Sequence, residues 1–158
     1  MRILLAMALM SVCGLSVADT FEVTVTRSGS NIYTVSGKKL LIQTRYCYAY
    51  AYSEDAILRS AGYGGELIFP ESRDKCDVKA VYGSSDQKPG KFKVMVSRED
   101  DDWYEVFGSN NYLKTSACIS LALGEEAVFN HRGHGIGTLI FKDGMSCMVE
   151  GVYSKIRL

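Results

Sequence analysis

The chain has 158 residues, 47% hydrophobic and 23% charged, with 18 basic residues against 18 acidic ones. No basic stripe stands out, so the composition gives no reason to expect nucleic acid or an anionic membrane as partner. After the N-terminal run, no stretch reaches the roughly 20 apolar residues that a membrane-spanning helix requires.

The first eighteen residues, MRILLAMALMSVCGLSVA, read as an export leader. Arg2 supplies the positive end, an apolar run follows, and Ser16-Val17-Ala18 fits the small-x-small cleavage rule. A lipid-anchored alternative at Cys13 is disfavoured, because Val12 stands where a small residue is expected. Cleavage makes Asp19 the first mature residue, leaves 17 basic against 18 acidic residues, and discards Cys13. The four remaining cysteines, Cys47, Cys76, Cys118 and Cys147, are an even set in an exported chain and read as two disulfides.

From Phe21 onward the pattern is that of strands. FEVTVTR (21–27) alternates with period two, SGSN turns the chain, IYTV follows, and a second turn at Ser36-Gly37-Lys38 leads into KLLIQT. RYCYAYAY (45–52) alternates again, which predicts a further strand. Its Tyr46, Tyr48, Tyr50 and Tyr52 share one side, while Cys47, Ala49 and Ala51 share the other. A hairpin turn is expected at Ser53-Glu54, in preference to a helix over SEDAILRSAG, and GELIF and CDVKAVY close the series.

The chain then says the same thing again. Shifted by 71 positions, FEVTVTR lies over FKVMVSR (92–98), Tyr33 over Tyr104, Thr44 over Thr115, Cys47 over Cys118 and Glu54 over Glu125, with 14 identities across positions 21 to 64. Chance would give roughly 3 at ordinary residue frequencies. After one extra residue LIF meets LIF, and Cys76 falls over Cys147. The expectation is therefore an all-β protein with little helix: two tandem copies of a small antiparallel unit, 19–86 and 92–158, joined by a linker at 87–91. Equal spacing within each copy predicts Cys47 to Cys76 and Cys118 to Cys147. In a unit with so thin a core each bond contributes about 3.5 kcal/mol.

Candidate sites follow from what the copies share and where they differ. The tyrosine face, with Tyr33 and Tyr63 near it in sequence, could stack on a ligand, but the second copy carries Ile119, Leu121 and Leu123 there, which favours burial of that face in the core. His131 and His134 in HisArgGlyHis lack a third metal ligand and read as incidental loop histidines. Glu99, Asp100, Asp101 and Asp102 lack the alternation of a calcium loop and read as a solvated hairpin tip. Glu54 and Glu125 occupy matched turns, where a carboxylate would accept a backbone N–H. As symmetric residues they are poorly suited to the unlike roles of an acid and a base.

The functional expectation is a secreted, non-enzymatic binding protein, periplasmic or extracellular, with no cofactor and no metal. It recognises a protein partner, as an inhibitor or toxin-neutralising factor does, through loops or the tyrosine-rich face. The residues expected to carry binding are Tyr46, Tyr48, Tyr50, Tyr52, Tyr63, Arg132 and His134. A carbohydrate-binding module, or a small hydrolase using Glu54 and Glu125 with His131 and His134, are the alternatives.

Overall fold

The structure, a computed structural model, describes residues 18–157. Apart from Ala18, the leader expected over 1–18 lies outside the described residues. No helix is present among them, and none is therefore long and apolar enough to cross a membrane.

Twelve antiparallel strands account for most of the chain. The first half holds β1 (Asp19–Arg27), β2 (Ile32–Val35), β3 (Leu40–Arg45), β4 (Glu54–Ala61), β5 (Gly64–Ile68) and β6 (Lys75–Ser84). The second holds β7 (Gly90–Asp100), β8 (Trp103–Val106), β9 (Asn111–Ser116), β10 (Glu125–Gly133), β11 (Ile136–Phe141) and β12 (Ser146–Ile156). β7 begins at Gly90, inside the expected linker.

Within the first half the pairings run β1-β2-β3-β6-β5-β4 and return to β1, a closed six-stranded ring. The second half closes in the same order, β7-β8-β9-β12-β11-β10. Closure puts every second residue of each strand into a small interior, but it is partial: residues 19–24 of β1 pair only with β4, and residues 90–95 of β7 pair only with β10. The alternating Val23 and Val25 of β1, with Leu58, Leu67 and Ile42, supply one core, and Val94, Val96, Phe129, Leu139 and Leu113 supply the other. The registers match as well: Val25 pairs Val35 as Val96 pairs Val106, and Leu67 pairs Cys76 as Leu139 pairs Cys147. A tight ring needs close backbone approaches. At Gly137 an added Cβ would lie 2.5 Å from the Asn130 carbonyl oxygen, so only glycine lets β11 pass β10 there.

The halves join where β6 and β12 run past their rings and pair with each other. Tyr82 pairs Lys155, Gly83 pairs Ser154 and Ser84 pairs Tyr153. Gly83 and Ser154 are themselves 71 apart, so this ribbon has an approximate two-fold at its centre. An aromatic cluster seals the joint. Tyr82 stacks on Trp103 at 5.1 Å and meets Tyr112 edge-on at 5.0 Å, and Trp103 also touches Tyr153 at 5.5 Å.

Both disulfides form as the spacing requires, Cys47–Cys76 and Cys118–Cys147, each with a separation of 29 residues. Bonds of this kind persist in an oxidising environment.

Candidate functional site

The fourth expected strand is not a strand. Residues 46–53, between β3 and β4, alternate exposed and buried as far as Tyr52 but make no ladder with any neighbour. The reason is topological. β3 and β4 are not adjacent in the ring, so the chain must cross the ring's mouth to join them, and it does so as a lid. Cys47, Ala49 and Ala51 point inward and belong to the core of the first half.

The lid is pinned at a few places only. The Arg27 N–H donates to the Ala51 carbonyl at 2.9 Å, the buried Tyr33 hydroxyl donates to the Ala49 carbonyl at 2.6 Å, and the Cys47 N–H donates to Asn31 Oδ1 at 3.2 Å. At the far end the Ser53 N–H donates to Thr26 Oγ1 at 3.0 Å. Residues in left-handed conformation bound it, Tyr46 at φ 50° and Ser53 at φ 50°. A bulky residue in that region marks a backbone course imposed by its surroundings.

The second half builds the same lid from residues 117–124. The Arg98 N–H donates to the Ala122 carbonyl at 2.8 Å, Tyr104 Oη to the Ser120 carbonyl at 2.5 Å, and the Gly124 N–H to Ser97 Oγ at 2.8 Å. Ala117 at φ 52° and Gly124 at φ 65° bound it. Burial pushes the Tyr33 and Tyr104 hydroxyls above the usual phenol range, in keeping with their roles as neutral donors.

The outward faces overturn the expectation of a buried tyrosine row. Tyr46, Tyr48, Tyr50 and Tyr52 are 78 to 86% exposed, and Ile119, Leu121 and Leu123 are 76 to 90% exposed. The aliphatic residues of the second half gave the argument for burial, and they stand in solvent too. A lid one chain thick has one buried face, and small residues already fill it. Tyr33 is not part of this surface, because it is fully buried. Tyr63 is exposed on the β4–β5 turn, and Arg132 and His134 are exposed around the β10–β11 turn of the other half.

The remaining candidates are structural. His131 is not a loop residue: it sits buried in β10, with Nδ1 3.1 Å from the Lys88 carbonyl and Nε2 accepting the Gly135 N–H at 3.1 Å. Both ring nitrogens are used, and the neutral Nδ1–H tautomer satisfies both bonds. A bulge between His131 and Gly133 turns His134 away to solvent. Among the described residues, no three of His, Cys, Asp or Glu converge as a metal site needs.

Glu54 and Glu125 begin β4 and β10, but neither carboxylate accepts a hydrogen bond among the described residues. The turn amides are capped by the Thr26 and Ser97 hydroxyls instead, which corrects the expected turn role. Five surface cavities of about 340 to 520 Å³ are lined by none of Glu54, Glu125, His131 and His134.

The acidic run is more than a solvated tip. Glu99 pairs with Lys79 at 3.0 Å and Asp100 Oδ2 accepts the Gln43 side-chain amide at 3.0 Å, both across the joint between the halves. The Tyr82 hydroxyl then donates to Gln43 Oε1 at 2.7 Å. Asp102 Oδ1 receives the Cys118 N–H at 3.5 Å and Oδ2 faces Lys114 at 3.8 Å, while Asp101 pairs with Arg98 at 3.1 Å. The run latches the halves together and anchors the second lid.

Sequence reasoning missed two features. One is the aliphatic row as a surface, which its uncharged alternation shared with the tyrosine row could have suggested. The other is Trp103 at the joint, with Lys114 5.9 Å from its ring, for which the sequence carries no local signal. No protein-family model matches the chain, and no curated protein or solved structure matches it.

Proposed function

We propose that the chain is an exported binding protein that recognises a protein partner through the tyrosine row of its first lid, in the manner of an inhibitor or toxin-neutralising factor. The observation that carries this reading is the row itself: four rings almost free of contact, on an uncharged segment fixed by a disulfide and by bonds to its backbone. Tyrosine gives a large contact area for little lost side-chain entropy, and it is enriched where protein surfaces meet. Small-molecule sites are concave. The row protrudes, and none of the five cavities includes it.

An export leader over 1–18 and two disulfides support a periplasmic or extracellular location. The same reading takes the halves as descendants of one duplicated unit. The identities at a shift of 71 and the matched strand pairings support it.

The test is capture of a partner from a cell-envelope extract on the immobilised protein, identification of that partner, and titration of the purified pair. Tyr48→Ser/Tyr50→Ser is expected to weaken binding at least tenfold, and Glu54→Gln to leave it unchanged. Unaltered affinity in the tyrosine variant would overturn the reading. A glycan panel bound in place of a protein would move it to the carbohydrate alternative.

A further inference from the structure

The row of Ile119, Leu121 and Leu123 has no part in the reading above, yet it holds the most exposed aliphatic side chains among the described residues. Adjacent exposed aliphatic side chains with no charge between them mark a surface that is covered in use. A lipid surface suits it poorly. The N–H groups of residues 119 to 123 have no acceptor among the described residues and would stay unsatisfied in hydrocarbon. The mature sequence also offers no basic surplus to draw anionic lipid.

We propose that this aliphatic row docks on the tyrosine row of a second copy of the chain. The inference rests on the tyrosine row being a docking surface, and it names the partner. Both lids alternate exposed and buried residues and are held by matched bonds between left-handed ends, so both rows take every second residue, at about 6.6 Å for strand-like spacing. Four rings in a line leave three gaps. The other row is three aliphatic side chains long, with the small Ala117 at the fourth position.

Neither row has a charge to bury, and the tyrosine hydroxyls can reach the unbonded amides of the facing lid. The four rings offer on the order of 600 Å². With the aliphatic row the total approaches the roughly 1,000 Å² that a specific interface needs. The two rows sit on different halves, so one row-on-row contact leaves one row of each kind free, and copies add head to tail unless two copies close on each other through both contacts.

Two variants of the full exported chain test this, Tyr48→Asp/Tyr50→Asp and Leu121→Asp/Leu123→Asp, each checked for native circular dichroism and intact disulfides. In sedimentation velocity the wild type is expected to associate as concentration rises, stopping at a dimer if both contacts close reciprocally and growing beyond it if they do not. Each variant alone stays monomeric, and an equal mixture of the two forms a dimer and stops, because one intact row of each kind remains.

A wild type that is monomeric at every concentration overturns the proposal. So does a tyrosine variant that still dimerises, since that would be aliphatic row on aliphatic row. Binding of the wild type to phosphatidylcholine and phosphatidylglycerol vesicles that is lost with Leu121→Asp/Leu123→Asp overturns it in favour of lipid. If the wild type does not self-associate but the tyrosine variant loses an envelope partner, this inference fails and the proposed function stands. If neither assembly nor capture depends on the tyrosines, both fail.

Discussion

The two lids, 46–53 and 117–124, share what faces inward and differ in what faces out. Cys47 and Cys118, and Ala51 and Ala122, fill matched places in the two cores, and the same backbone bonds hold both segments. Outward, tyrosine alternates in one and isoleucine or leucine in the other. The inner face is dictated by a closed ring with room only for small side chains and a disulfide. The outer face is free of any folding constraint, so that is where a scaffold can hold chemistry for use.

The largest expected effect tests whether the inner faces are equivalent in energy as well as position. Replacing Cys47 and Cys76 by serine, or Cys118 and Cys147, should each lower the unfolding free energy by about 3.5 kcal/mol. Urea unfolding measures both. A loss in one half below about 1 kcal/mol, against the full loss in the other, would show that the lids are anchored differently despite their matched bonds.

Next in size are the tyrosines beneath the lids. Tyr33→Phe and Tyr104→Phe each remove one donor and leave the carbonyl of Ala49 or Ser120 without it, at a cost of about 1–3 kcal/mol. The Tyr33 hydroxyl also lies 3.1 Å from Cys47 Sγ, a contact with no counterpart in the second half among the described residues, so the first substitution should cost slightly more.

Alkali provides a third comparison, between buried and outward tyrosines. Burial raises the hydroxyls of Tyr33, Tyr82, Tyr104, Tyr112 and Tyr153 above the ordinary value of 10.0. The unfolded chain therefore loses those protons first. The stability they protect is complete below pH 10.0 and falls as pH rises from there towards the folded-state values. Melting temperature followed from pH 8 to 11 should drop steeply above about pH 10. Phenolate absorbance from the four buried rings, Tyr33, Tyr82, Tyr104 and Tyr112, should appear only with unfolding. A flat profile would mean that these hydroxyls are accessible in the native state.

The strands and disulfides were legible because period two, turn residues and equal cysteine spacing are local signals. The lids were legible only in part. An extended segment with one buried face shows the same alternation as a strand, and the sequence does not reveal whether a neighbour pairs with it. The burial assigned to Tyr48 and Leu121 rested on equating apolar with interior, which fails for a segment whose inner face is already filled by Cys47, Ala49 and Ala51. The link from Gln43 to Asp100 spans 57 positions and two rings, so nothing local announces it. His131 and His134 are close in sequence, but a bulge separates their directions.

The smallest expected change in stability is the most informative about use. Tyr48→Ser/Tyr50→Ser and Leu121→Ser/Leu123→Ser replace side chains that touch almost nothing, so each pair should alter the unfolding free energy by no more than about 0.5 kcal/mol. Serine keeps the backbone free to follow the lid, and the bonds from Arg27, Tyr33, Arg98 and Tyr104 go to carbonyls that the substitutions leave in place. Urea unfolding of both variants beside the wild type, at a concentration where the wild type is monomeric, measures this. A loss of 2 kcal/mol or more in either would mean that its row packs against the protein in solution. The division between an inner face made for folding and an outer face made for contact would then fail for that lid.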